Sequence, residues 1–298
     1  MKKWIWMVLI SFLLAGCAPA PAETGAGFND DLGRIVSVEN PRRVACLTAS
    51  FADIWCAAGG KESLAAATNA AWTYFDLGLG ENVVNLGGSK ALDLEALIAC
   101  DPDLILASCG TDRNVELEDT LEKMGLDTAY FSVNSFEDYL RMLKICTGLT
   151  GRGDLYVQNG TAVAQRVEDA QACADGSRPS VLVIRATGSS CKVKGSEGSV
   201  LGEMLAALDC RNIADGGALE QLSMEAILAE DPDHIFVVMQ NADAQPILEE
   251  TLLRDPAWQS LTAVEEGRYH VMDPSLFNLK PNARWGEAYE ILADILYP

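Results

Sequence analysis

The chain has 298 residues and carries 43 acidic side chains against 22 basic ones, for a net charge of −21 with 49% hydrophobic residues. So acidic a surface disfavours nucleic acid and anionic membrane as partners. The length allows one large domain or two modest ones, each with a real core.

Residues 1–16 read as a signal peptide. Lys2 and Lys3 precede an apolar run from Trp4 to Leu14 that is too short to span a bilayer comfortably. Leu14, Ala15 and Gly16 then lead into Cys17, a pattern that resembles the lipobox of bacterial lipoproteins. The resemblance implies cleavage before Cys17 and lipidation of that residue. Residues 17–34, rich in Ala, Pro and Gly at their start, read as the tether of an exported, lipid-anchored domain. Loss of Lys2 and Lys3 takes the net charge from −21 to −23.

From residue 35 to 150, buried strand-like runs alternate with helical stretches: "RVACLT" (43–48), "LAAAT" (64–68), "VVNL" (83–86), "LILAS" (104–108) and "TAYFS" (128–132). Residues 151–176 hold little strand signal. Leu155, Val157, Ala162, Val163, Val167 and Ala170 fall there at mainly helical spacing, which predicts one long helix over Asp154–Ala174. A second series, over 177–298, contains "SVLVIRA" (180–186), "NIA" (212–214), "IFVVM" (235–239) and "RYHVM" (268–272). Strands separated by helices predict parallel sheets covered on both faces. The fold expected is therefore α/β, with two Rossmann-like lobes joined by a long rigid helix and a ligand cleft between them.

One unit occurs twice. "LDLEALIACDPDLI" (92–105) and "LSMEAILAEDPDHI" (222–235) share eight of fourteen positions, including Glu95 and Glu225. Asp93 and Ser223 are good N-caps. Leu94, Leu97 and Ile98 share one helix face, matched by Met224, Ile227 and Leu228. Asp-Pro-Asp ends each helix, because the residue before proline avoids the helical region.

Taken with these repeats, the stretches "PRRVACLTASFADIWCAAGG" (41–60), "SVLGEMLAALDCRNIAD" (199–215), "DPAWQSLTAVEEGRYHVMD" (255–273) and "NARWGEAYEILADIL" (282–296) occur in an order and spacing that resemble one family. It is that of the substrate-binding proteins of ABC importers for ferric siderophores, haem and cobalamin. The resemblance covers essentially everything after the tether. It implies a non-enzymatic protein that delivers a chelated-metal ligand to a permease dimer with its ATPase. A ferric siderophore ranks first as that ligand, with haem and a corrinoid close behind. No intrinsic cofactor is implied, and the membrane is reached through the lipid anchor only. In that family one exposed glutamate on each lobe docks on arginines of the permease, and Glu95 and Glu225 match by position. An acid in a helix's first turn also stabilises the macrodipole by about 0.3–1 kcal/mol, which accounts for an acid there but not for Glu in both copies.

Ligands of parallel sheets gather beyond the carboxyl ends of the strands. That rule selects Ser50, Trp72, Thr73, Tyr74, Ser89, Lys90 and Arg113 from the first lobe. It selects Arg185, Thr187, Ser189, Ser190, Lys192, Phe277, Asn278 and Lys280 from the second. Trp72 and Tyr74 either stack on a planar ligand or pack their loop onto its own lobe; Phe277 leaves the same choice. The cations, with Lys194, suit an anionic chelate if they converge, and each alone is equally a surface charge. "TGSSCKVKGSEG" (187–198) reads as a polar binding loop without phosphate-loop spacing.

His234 and His270 are the only histidines, and both read as structural. A bare-metal receptor would need a cluster of them, so no protein metal site is expected and the metal arrives already chelated. The eight cysteines after Cys17 allow disulfides or core thiols, with no C-x-x-C pair to decide. A metal- or cluster-binding redox enzyme on a similar two-lobed fold is the alternative. No G-x-S-x-G, H-E-x-x-H or paired C-x-x-C motif supports it.

Overall fold

Ten strands and eight helices carry the architecture. They are drawn from a computed structural model that describes residues 27–216, 223–240 and 243–298. The signal peptide and residues 17–26 of the expected tether, Cys17 among them, lie outside the described residues. The remainder of that stretch is not a tether but folds onto the first lobe, where Asp30 accepts the Tyr130 N–H at 3.2 Å and Asp31 accepts that of Ser132 at 2.6 Å. In the first lobe, β1 (Val44–Cys46), β2 (Leu64–Ala67), β3 (Val84–Asn85), β4 (Leu104–Ser108) and β5 (Thr128–Phe131) form a sheet in the order β3-β2-β1-β4-β5. Every pairing in it is parallel. The main helices of this lobe are α1 (Ala49–Ala57), α2 (Leu94–Ala99) and α3 (Phe136–Thr150).

The bridge between the lobes is helical from residue 153 to 171. It comprises α4 (Gly153–Tyr156), a π-type turn at Val157–Thr161, and α5 (Ala162–Gln171). The wide turn interrupts what the spacing predicts as one regular helix. It falls where Asn159 is tied to the first lobe: its carbonyl accepts the Tyr139 hydroxyl at 2.8 Å, and its amide donates to the Ala57 carbonyl at 2.8 Å. Such one-turn bulges adjust a helix to a tertiary contact.

In the second lobe, β6 (Ser180–Thr187), β7 (Ser190–Lys194), β8 (Arg211–Asn212), β9 (His234–Met239) and β10 (Tyr269–Met272) take the order β7-β6-β9-β10, with β8 also on β6. The main helices of this lobe are α6 (Val200–Ala207), α7 (Met224–Glu230) and α8 (Trp285–Leu296). The pairings are parallel except that of β6 with β7. The stretch 187–198, read from its composition as a loop, is therefore largely a hairpin. The Thr187 hydroxyl accepts the backbone N–H groups of Ser189 (3.3 Å) and Ser190 (3.1 Å) and closes the turn. Period-2 alternation then puts Val193 against the outer core and Lys194 on the other face.

The repeated unit folds alike in both lobes. Asp93 accepts the Ala96 N–H at 2.9 Å and Ser223 accepts that of Ala226 at 3.4 Å, each as the N-cap. Asp101 and Asp231 both take left-handed backbone (φ 46° and 38°) before their prolines. Asp103 then accepts the N–H groups of Arg42 and Arg43, and Asp233 accepts the N–H and hydroxyl of Ser180. Each motif thus stops a helix and pins the start of the adjoining strand. The expected apolar faces are only partly buried: Leu97 and Ile227 are enclosed, while Ile98 and Leu228 remain 38% and 37% exposed.

Each sheet has an outer core of its own. Between them runs one continuous cluster, with Val44 and Phe131 from the first sheet, Val163 and Val167 from α5, Val183 and Phe236 from the second, and Trp285 from α8. Arg166 on α5 and Glu290 on α8 form a bidentate pair at 2.7 Å, and a Cβ on Gly286 would come within 2.8 Å of Arg166 Cβ. Cys46, Cys100, Cys146 and Cys210 are buried thiols. Burial pushes the Cys146 and Cys210 thiols up to about 12, so they stay protonated. Among the described residues no helix is long and apolar enough to cross a membrane.

Candidate functional site

The carboxyl ends of strands from both lobes surround a cavity of about 280 Å³. Ser108 closes β4 and Ser132 follows β5; Arg185 and Val238 lie near the ends of β6 and β9. This is where an open α/β sheet leaves its main-chain ends unfilled.

The first lobe contributes Ser108, Gly110, Ser132, Val133 and Asn134. Asn114, fully buried, shapes this wall: its carbonyl oxygen accepts the Ser108 N–H at 3.0 Å, and its backbone carbonyl accepts the Tyr130 hydroxyl at 3.0 Å. The second lobe contributes Arg185, Lys194 and Lys280 as cations, Glu203 as the one carboxylate, and Phe277, Asn278 and Ser199 beside them. Arg185 opposes Lys192 and Val183 opposes Lys194 in the β6–β7 ladder. Directly paired residues and their i+2 neighbours share a face, so Arg185 and Lys194 project from the same side of the sheet.

The cations are poorly compensated. Arg185 Nε is buried with no hydrogen-bond partner, an arrangement costing about 1–3 kcal/mol. Burial pushes Lys280 below its ordinary value, opposed by the carboxylates of Glu203 and Asp138. Burial likewise pushes Glu203 up, opposed by the Gly198 N–H, which it accepts at 3.2 Å, and by Lys280. Both groups are thus partly desolvated, and the cavity keeps a surplus of positive charge within an acidic chain.

Of the residues selected from the sequence, Arg185, Phe277, Asn278 and Lys280 line this cavity. The others are placed elsewhere. Ser50 sits on the first turn of α1, where its carbonyl accepts Asn282 Nδ2 at 2.9 Å. Trp72 is half-buried against the central core, Thr73 lies beside it on a short helix (Ala70–Thr73), and Tyr74 is exposed. Ser89 and Lys90 form the turn between two short strands, Gly87–Gly88 and Ala91–Leu92. Arg113 pairs with Glu116 at 3.2 Å. Thr187, Ser189 and Ser190 are engaged in the hairpin turn, and Lys192 is exposed. Ser132, Val133, Asn134, Ser199 and Glu203 were not singled out. Ser132 ends the predicted strand 128–132 and Val133 and Asn134 follow it, so the carboxyl-end rule reaches all three. For Ser199 and Glu203 no local pattern does.

Glu95 and Glu225 are exposed in the first turns of α2 and α7. Neither is in an ion pair among the described residues.

Two lobes, a bridging helix and a polar interlobe cavity define a cleft-binding protein. The sequence matches the periplasmic binding protein family over residues 44–276, and the chain belongs to that family. No curated protein sequence matches it. Solved structures share its fold. The vitamin B12 binding protein BtuF of Vibrio cholerae has a TM-score of 0.72 at 18% identity, covering 87% of this chain and 98% of that one. The periplasmic heme-binding protein RhuT from Roseiflexus sp. RS-1 has a TM-score of 0.70 at 20% identity, covering 86% and 98%. The petrobactin-binding protein YclQ of Bacillus subtilis has a TM-score of 0.69 at 16% identity, covering 91% and 96%. Membership of that family makes the chain a substrate-binding component of an ABC importer.

Proposed function

We propose that the protein captures an anionic, oxygen-rich ferric chelate of the siderophore class and delivers it to an ABC permease. The observation carrying this reading is the convergence of Arg185, Lys194 and Lys280 on one cavity, with Arg185 Nε left without a partner. A guanidinium and two ammonium groups suit the carboxylate, catecholate or phenolate oxygens of such a chelate. The described lining holds none of the His, Cys, Met or Tyr side chains that serve haem iron as axial ligands, so haem ranks lower. The lobes are assigned to residues 35–150 and 177–298, with 151–176 as the bridge. Cys17 carries the lipid, and Glu95 and Glu225 dock on the two permease subunits, with an ATPase driving transport.

Quenching of tryptophan fluorescence tests the ligand class, with ferric citrate, a ferric tris-catecholate, haemin and cyanocobalamin as probes. An anionic ferric chelate should bind tightest, and Arg185→Ala and Lys280→Ala should each weaken it at least tenfold, about 1.4 kcal/mol. Tightest binding of haemin or cobalamin, or indifference to both substitutions, refutes the reading. Docking is tested by the double change Glu95→Arg and Glu225→Arg: ligand affinity should hold while uptake collapses. Normal uptake defeats that assignment.

A further inference from the structure

The two histidines lie apart from the ligand cavity and meet each other. His234 begins β9 and His270 lies on β10, the strand paired with it, so that Phe236 is directly opposite His270. Both rings therefore stand on one sheet face. His234 Nδ1 and His270 Nε2 are 3.3 Å apart, and the ring planes are inclined by 21°. The Phe236 ring packs beside both, 6.1 Å from His234 and 5.1 Å from His270 between centroids. Neither ring is fully enclosed, so solvent reaches the pair. Val238, which lines the ligand cavity, is four residues along β9 from His234, about 13 Å at strand rise.

We propose that His234 and His270 form a two-imidazole site for a first-row divalent cation of the Ni²⁺, Cu²⁺ or Zn²⁺ type. With metal–nitrogen bonds of about 2.0–2.1 Å, two neighbouring donors stand about 3.3 Å apart at the tetrahedral angle of Zn²⁺ and about 2.9 Å apart at the right angle of a tetragonal Ni²⁺ or Cu²⁺ ion. The 3.3 Å seen here matches the first and needs a closure of a few tenths of an ångström for the second. Imidazole nitrogen suits these ions. In the present contact one ring nitrogen donates its proton to the other. Shifting that proton to the donor ring's second nitrogen frees both lone pairs with no net proton lost. Asp233 is committed to Ser180, and the Arg268 guanidinium donates to the Asp233 carbonyl and to Glu266. Among the described residues no third His, Cys, Asp or Glu completes a metal cluster, so water fills the other positions. The site is open and exchangeable, and its reading is independent of the transported ligand.

The test uses the full chain without a polyhistidine tag, because these are its only imidazoles. Ni²⁺ is the probe, and the protein's own histidine ring resonances are followed by NMR. Paramagnetic broadening of both rings together at equimolar Ni²⁺ is expected. His234→Asn and His270→Asn should each weaken binding at least tenfold, with thermal melting used to confirm that they fold. Ring signals unmoved at millimolar Ni²⁺ in the wild-type chain would overturn the proposal without recourse to any variant. Ni²⁺ affinity undiminished in both folded variants would overturn it equally.

Discussion

Asp53 shows how one buried group ties the two lobes together at a cost. Asn282, in left-handed backbone (φ 52°), donates through Nδ2 to the Asp53 carboxylate at 2.7 Å and to the Ser50 carbonyl at 2.9 Å. Burial pushes Asp53 up to about 6, only partly opposed by Asn282 and Arg284. A folded-state value above the ordinary carboxylate value means the folded protein binds the proton more tightly. The charged form therefore costs stability at neutral pH, and the cost fades as pH falls through about 6 toward 4. Asn282 Oδ1 is buried without a partner, so a protonated carboxyl or an amide at position 53 gains an acceptor. Asp53→Asn should raise stability by about 1–3 kcal/mol at pH 7.5. In thermal melts its advantage over the wild type should vanish near pH 4. A lower melting temperature at pH 7.5 would contradict this account. Nothing around Asp53 in sequence announces the contact, since its partner lies 229 residues away.

At the scale of elements, the two copies of the helix–turn–strand unit show how much local chemistry carries. Caps, stop residues and strand starts are all set by side chains within a few positions or on the adjoining strand, and these were legible. The hairpin at β7 was not, because Ser, Lys and Gly dominate its composition while its pairing depends on β6. Helix α6 shows a second tertiary constraint. A Cβ on Gly202 would stand 2.2 Å from the Gly195 carbonyl oxygen and 3.0 Å from Ser196 Cα, backbone atoms with little room to move. Gly202→Ala should therefore push α6 off the 195–199 loop and cost about 1–3 kcal/mol. Because Ser199 and Glu203 line the cavity from this helix and its cap, ligand affinity should fall as well. Denaturant melts and the fluorescence titration read the two effects separately. Unchanged values in both would show that the loop yields freely.

At the scale of the whole molecule, the continuous core running through both sheets, α5 and α8 limits how far the lobes can swing. Close-packed interiors resist continuous deformation, and opening the cleft widely would tear Trp285 from Phe136, whose rings meet edge-on at 5.8 Å. Ligand binding should leave the radius of gyration unchanged within the precision of small-angle scattering; a clear contraction would point to a hinge in the bridge. The strands other than β7, the repeated unit, the helical character of the bridge and the family resemblance came from the sequence alone, because periodicity, capping and proline stops act over a few residues. The π-type turn inside the bridge did not. Which side chains meet in the cavity was decided only in three dimensions. Two lobes must be set face to face before Asn134, Arg185, Glu203 and Lys280 share one space, and no spacing along the chain records that orientation. For the same reason Tyr74, Lys90 and Arg113, near strand ends of one lobe, are not among the residues lining the cavity formed by both.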